Sequence, residues 1–153
     1  MAEHGITIRR VFDAPRERVW QEWSEPERFA EWFGGAEAEI PLETVTMDVR
    51  PGGAWRATMF FGRDRRAIQW KGEYVEVVPP ERLVLTFSDG PDEVYELVTV
   101  VLNDLGSERT EMLFEQRGHM RPEEYDRTKE GWTGFLDRMD ARLRARVSDA
   151  RTV

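Results

Sequence analysis

At 153 residues the chain is sized for one domain around a single core, and the absence of cysteine excludes disulfides, thiolate metal sites and cysteine nucleophiles. A formal charge of −8, from 30 acidic and 22 basic residues, opposes binding to nucleic-acid backbones or anionic membranes unless the basic residues gather on one face. They do not gather: Arg63, Arg65 and Arg66 flank a predicted turn, and Arg142, Arg144 and Arg146 fall near the end of the last predicted helix, where cations complement the helix dipole.

Residues 5–12 alternate Ile6, Ile8 and Phe12 against Thr7 and Arg9, which predicts a half-buried strand with Arg10 as the polar exception on its apolar side. In DAPRERVWQEWSEPERFAEWFGG, residues 13–35, Pro15 suits a first helical turn and Asp13 can accept backbone donors there. Ser24, with Glu27 three residues on, reads as the capping box of a second helix that Gly34-Gly35 stops. The two short helices carry Trp20, Trp23, Trp32 and Phe33, with half of the chain's six tryptophans among them. So much indole on short helices must cover something apolar.

From residue 45 to 117 the pattern turns strand-like. Thr44 to Val49 comes first, Pro51-Gly52-Gly53 turns, and Ala54 to Phe61 puts Trp55, Ala57, Met59 and Phe61 on one face. After a reversal at Gly62–Arg66, Ala67 to Val78 places Ile68, Trp70, Gly72 and Tyr74 on one side and then favours Val75 and Val77, which predicts a bulge near Gly72. Pro79-Pro80 ends that run. Leu83, Leu85 and Phe87 alternate, Asp89-Gly90-Pro91 turns, Val94 to Leu102 is nearly all apolar, and Asn103 to Glu108 makes the last hairpin. Thr110, Met112, Phe114 and Gln116 then share an inward face that ends in a polar group.

Pro122 opens a final helix to about Val147, with Tyr125, Trp132, Leu136, Met139, Leu143 and Val147 in one stripe that Phe135 widens. At about 25 residues it is roughly 38 Å long, enough to cross a small sheet. Gly131 inside it predicts a close approach to the sheet or a bend over a cavity. The expected class is α+β: a seven-stranded bent antiparallel sheet, two short helices and a long C-terminal helix in a helix-grip arrangement, one domain over residues 5–147.

In that order, DAPRERVW, EPERFAEWFGG, RPGGAWR, KGEYVEVVPPERLVLTF and EGWTGFLDRMDARL resemble the small bacterial domains related to the activator of the ninety-kilodalton heat-shock chaperone's ATPase. That family belongs to the SRPBCC superfamily of the major birch-pollen allergen, the START lipid-transfer domains and the polyketide cyclases. The resemblance covers about residues 5–145 and implies a cavity between the long helix and the sheet, holding a small hydrophobic or amphipathic molecule and no cofactor. It implies two alternatives as well: a partner of a heat-shock chaperone ATPase, or a cyclase or aromatase using the same cavity. Eukaryotic relatives act on the chaperone together with a further N-terminal domain, so these residues would carry half of that apparatus.

The inward aromatic and thioether groups are the residues expected to bind the ligand: Trp32, Phe33, Trp55, Met59, Trp70, Met112, Phe114, Gln116, Trp132 and Leu136, around a void opening near Trp32 and Phe33. The same stripes suit plain core packing. Gln116, Glu96, Tyr74 and Tyr95 are the polar candidates to face a void. Glu96 in an apolar pocket would have its charged form disfavoured, as in a general acid; otherwise it points to solvent or pairs with an arginine. Relatives often carry a histidine near position 116, whereas here His119 lies past a glycine, in a predicted loop. His4 lies in an N-terminal tail, and two histidines without cysteine make no metal site unaided. Ser24, Ser88, Ser107 and Ser148 lack a nucleophile-elbow setting, and PGGAW and FGRDRR lack the context of a phosphate loop. No catalytic set is expected. No apolar run nears the roughly 20 residues that cross a bilayer, and a signal-peptide pattern is absent, so the cytoplasm is the expected compartment.

Overall fold

The computed structural model describes residues 5–90 and 94–151, with side chains through residue 145. The elements run β1 (Gly5–Phe12), α1 (Arg16–Ser24), α2 (Pro26–Trp32), β2 (Ala38–Glu39), β3 (Thr46–Met47), β4 (Ala54–Phe61), β5 (Arg66–Val78), β6 (Arg82–Phe87), β7 (Glu96–Gly106), β8 (Arg109–Arg117) and α3 (Pro122–Arg151). Their antiparallel pairing gives an eight-stranded sheet in the order β1-β8-β7-β6-β5-β4-β2, with β3 also on β4. β5 joins the two parts: residues 66–73 pair with β4, and Tyr74 onward pairs with β6. Alternation then fixes the inner face, where Trp55, Ala57 and Met59, Leu83, Leu85 and Phe87, Val98, Val100 and Leu102, and Met112 and Phe114 are all buried. α3 supplies Tyr125, Trp132, Leu136, Met139 and Leu143 against that face. Val147, expected to end this stripe, falls where only the backbone is described.

Several boundaries differ from the sequence reading for local reasons. Ser24 is the last residue of α1, its hydroxyl donating to the Trp20 carbonyl at 2.9 Å, and Glu25 rather than Ser24 precedes α2. Glu25 is extended, as a residue before proline tends to be, so the break falls there and Pro26 takes the first helical position. Pro15 itself flanks α1, and no side chain caps that end, so Asp13 does not fill the expected role. The strand expected at 44–49 shrinks to Thr46–Met47 because Leu42–Thr44 forms a 3-10 turn. Thr44 Oγ1 donates to the Pro41 carbonyl at 2.7 Å and accepts the Thr58 N–H at 3.1 Å, replacing strand pairing with side-chain bonds. β2 makes the eighth strand where seven were expected.

The last hairpin is tighter than expected: β7 continues to Gly106, and Ser107 and Glu108, both at positive φ, make the two-residue turn. The β5 irregularity expected near Gly72 falls between Tyr74 and Glu76. Gly72 answers to crowding instead, since a Cβ there would lie 1.8 Å from the Thr86 carbonyl oxygen and 2.3 Å from the Trp55 indole nitrogen. Arg10, the polar exception on β1, reaches α3 and pairs with Asp137 at 2.7 Å.

The positive φ of Gly34 turns the chain out of α2, and Gly35 follows likewise, letting the segment fold back under α3. α1 and α2 thereby roof one end of the inner face. Glu22, 1% exposed, ties the roof to α3 through Arg142 at 2.9 Å and accepts the Trp32 indole N–H on its backbone carbonyl at 2.8 Å.

Candidate functional site

Beyond that roof the inner face is not filled. A cavity of 240 Å³ lies between α3 and the sheet, bordered by Phe33, Trp70, Phe87, Glu96, Gln116, Met120, Thr128, Gly131, Trp132 and Phe135. Register explains the two strand-borne polar groups: Gln116 sits opposite Val98, and Glu96 opposite Phe87, at the ends of inward-facing rows. Gly131 does not bring the helix close to the sheet, as the sequence suggested; a Cβ there would meet nothing within 4 Å. A missing side chain in mid-helix therefore leaves space beside Trp132. A larger hollow of 530 Å³ on the β4–β5 pair is more open and carries a larger share of polar groups, among them Arg56, Thr58, Gln69 and Asp89. Ligand sites are characteristically enclosed and apolar with a few converging polar groups, which selects the inner cavity.

Its polar end is one connected network. The Trp132 indole N–H donates to Gln116 Oε1 at 2.7 Å, and Gln116 Nε2 donates to Glu96 Oε1 at 3.0 Å. Tyr125 donates its hydroxyl to the same Glu96 oxygen at 2.9 Å, and the backbone N–H of His119 donates to Glu96 Oε2 at 2.8 Å. The carboxylate packs so closely on Gly118 that a Cβ there would fall 1.8 Å from Oε2. Burial, together with the hydrogen bond to Glu96 and its charge, raises the Tyr125 pKa above the ordinary phenol value, with backbone groups of Met120 and Gly118 acting the other way. Glu96 is thus held by these three donors, and among the described residues no arginine or lysine bridges it.

Of the residues expected from sequence, the structure brings Phe33, Trp70, Gln116 and Trp132 together around the cavity. Trp32, Trp55, Met59, Met112, Phe114 and Leu136 are instead packed into the core, none more than 3% exposed and none on the cavity wall. Trp55 is turned away because its indole N–H bonds the Thr86 carbonyl at 2.9 Å across Gly72, and Trp32 is held by Glu22. Tyr74 is wholly buried elsewhere, its pKa raised by burial and then by Asp48, and Tyr95 is exposed on the outside. His119 lies in the exposed loop before α3 and contributes its backbone; His4 lies outside the described residues. Phe87, Met120, Thr128 and Phe135 were not singled out as ligand-binding. Phe87 and Phe135 stood on inward stripes and could have been, whereas Met120 and Thr128 come from the loop and first turns of α3, where no periodicity points. No group of three or more His, Cys, Asp or Glu that could hold a metal occurs among the described residues, and no described helix is long and apolar enough to cross a membrane.

An antiparallel sheet closed by a helix pair and one long C-terminal helix defines a helix-grip domain, a fold that supports ligand binding in general. Residues 13–144 match the model of the family described as Activator of Hsp90 ATPase homolog 1-like protein, and the chain belongs to that family. Among solved structures, a protein from Chromobacterium violaceum is similar at 25% identity and a TM-score of 0.80, over 92% of this chain and 97% of that one. A solution structure from Arthrobacter aurescens is also 25% identical, over 92% of this chain and 86% of that one, with a TM-score of 0.76. A Silicibacter pomeroyi protein shares the fold at 20% identity, over 93% and 99% of the two chains, with a TM-score of 0.81. No curated protein matches the sequence.

Proposed function

We propose that the chain binds a small apolar or amphipathic molecule in the cavity between α3 and the sheet. The supporting observation is the 240 Å³ space itself, walled mainly by aromatic groups and left open at the missing side chain of Gly131. Its size bounds the ligand. Cavities of about 150 Å³ take up benzene, and drug-sized molecules occupy about 300–1,000 Å³, so one ring or two fused rings fit. A lipid chain or a folded polyketide exceeds that volume and would have to extend through the open side of the cavity. The partnership with a heat-shock chaperone rests on the family's description. A stable partner surface needs roughly 1,000 Å² in total, and the strongly charged exterior implied by 34% charged residues makes a stable complex of that kind unexpected.

Toluene titrated into the parent protein tests the cavity by calorimetry and by the rise in melting temperature that a ligand of the folded state produces. The parent is expected to bind saturably, and Gly131→Leu, which places a side chain in the open space, is expected to bind at least about tenfold more weakly while keeping its near-ultraviolet circular dichroism. Failure of the parent to take up toluene, or equal binding by the variant, would overturn the proposal.

A further inference from the structure

The cavity joins two features that a container for a purely apolar molecule does not need. Its wall contains the carboxylate of Glu96, and every described hydrogen bond to that carboxylate comes from a neutral donor: Gln116 Nε2, the Tyr125 hydroxyl and the His119 backbone. All three bonds are received and none is given, as suits an ionised carboxylate. A charge beside apolar surface costs free energy unless it is paired, yet among the described residues no arginine or lysine bridges Glu96 and none borders the cavity. Five aromatic rings in one continuous cluster share that wall. Phe33 lies 5.7 Å from Phe87 and Phe135 and 6.0 Å from Trp70, and Trp132 lies 5.7 Å from Phe87 and 5.4 Å from Phe135, centroid to centroid. Enclosures of such rings attract ammonium groups through the negative faces of their π systems, an attraction that strengthens where water is excluded.

We infer that the ligand is a small organic cation: an amine, protonated at neutral pH, or a quaternary ammonium on a body of one ring, with its charge set between Glu96 and the aromatic cluster. This assignment rests on the cavity being a binding site and adds the sign of the ligand. The carboxylate supplies the counter-charge the cavity lacks, the rings supply a second attraction that a neutral ligand of the same shape would not gain, and the 240 Å³ volume limits the hydrocarbon part. A chain of net charge −8 also concentrates cations near its surface. An anionic ligand would meet the carboxylate with no arginine or lysine among the described lining residues to offset it.

Three probes of nearly equal size separate these possibilities in calorimetry at neutral pH: 2-phenylethylamine, 2-phenylethanol and phenylacetate. The amine is expected to bind at least about tenfold more tightly than the alcohol, and phenylacetate more weakly than either. In Glu96→Gln, which keeps the shape and removes the charge, the preference for the amine should fall to within about threefold while the alcohol binds as before. Should Glu96→Gln fail to fold, Phe135→Leu at the half-buried rim serves instead, with the amine expected to lose several-fold more affinity than the alcohol. If the alcohol binds as tightly as the amine, or Glu96→Gln or Phe135→Leu leaves the preference intact, the cation assignment is wrong while the cavity remains a site. If toluene and all three probes fail to bind, the cavity proposal falls with it.

Discussion

The two ends of the inner face are built from the same kinds of side chain and finish differently. Under α1 and α2, Trp23 and Trp32 meet at 4.8 Å, Phe29 and Trp32 at 5.2 Å, and Phe29 and Trp55 at 5.8 Å, and these rings are sealed from solvent. Around Phe33, Trp70, Phe87, Trp132 and Phe135 the rings are spaced much alike, yet they enclose 240 Å³. Ring content does not account for the difference; the covering element does. Two short helices set Trp23, Phe29 and Trp32 into the first end, and the indoles of Trp32 and Trp55 are fixed by backbone carbonyls. A single helix covers the second end, and at Gly131 it offers no side chain. A filled core and a cavity can therefore share a composition when the roof above them differs by a helix and a glycine.

The largest expected effect tests this contrast directly. Trp32→Ala empties a sealed site and strands the Glu22 carbonyl it bonded, so a loss of about 3–5 kcal/mol in denaturant unfolding is expected. Phe135→Ala removes a ring that is half-buried on the rim of existing space, and a loss of about 1 kcal/mol is expected. Equal losses at the two positions would mean that the second end is as tightly filled as the first.

A smaller effect lies in the alkaline range. Tyr74 and Tyr125 both have pKa values raised above the phenol value of 10.0, chiefly by burial. A raised folded value means that the folded state holds its proton more tightly than the unfolded one, so the stabilisation is fully present below about pH 10 and is lost as pH rises through the folded values. Phenolate absorbance of these two tyrosines should therefore appear late, together with loss of structure, and Tyr125→Phe should flatten the alkaline decline of stability. Early ionisation of Tyr125 would show that water reaches the polar end of the cavity, making it less enclosed than its geometry indicates.

Much of the fold was legible because it follows from periodicity. The limits of β1 and β4, the inward row Thr110–Gln116 and the stripe on α3 all come from alternation or from helical spacing. What escaped was set by competing local bonds: Thr44 satisfying Thr58, Pro26 forcing Glu25 extended, and Ser107-Glu108 adopting positive φ without a glycine between them. The site was half legible for a related reason. Inward facing marks a side chain as buried but does not say whether its neighbours reach it, so Met112 and Phe114 read like Phe33 and Trp70 until α1 and α2 are placed. Glu96 was visible as a polar break in an apolar run, but the donors that converge on it come from β8, a loop and α3. The residue that carries most of the distinction, Gly131, was legible only as close packing or a bend over a cavity, because a helical glycine can mean crowding or vacancy and sequence does not separate them.

The smallest effect is the most discriminating, because the two meanings of Gly131 predict opposite signs. Glycine inside a helix costs up to about 1 kcal/mol relative to alanine, through its greater freedom in the unfolded chain. Where a Cβ finds open space, replacement should recover that amount, and at Gly131 it would meet nothing within 4 Å. Gly131→Ala should therefore stabilise the protein by about 0.5–1 kcal/mol in denaturant unfolding and lower toluene affinity modestly, since one methyl takes up a small part of the cavity. Gly118→Ala is the natural control, because its Cβ would be driven to 1.8 Å from Glu96 Oε2 and the carboxylate network would have to give way. That variant should lose stability. If Gly131→Ala also destabilises, the space beside Trp132 is closed in solution and the contrast between the sealed end and the open end disappears; if it stabilises without any change in toluene binding, the vacancy is real but lies outside the path and seat of the ligand.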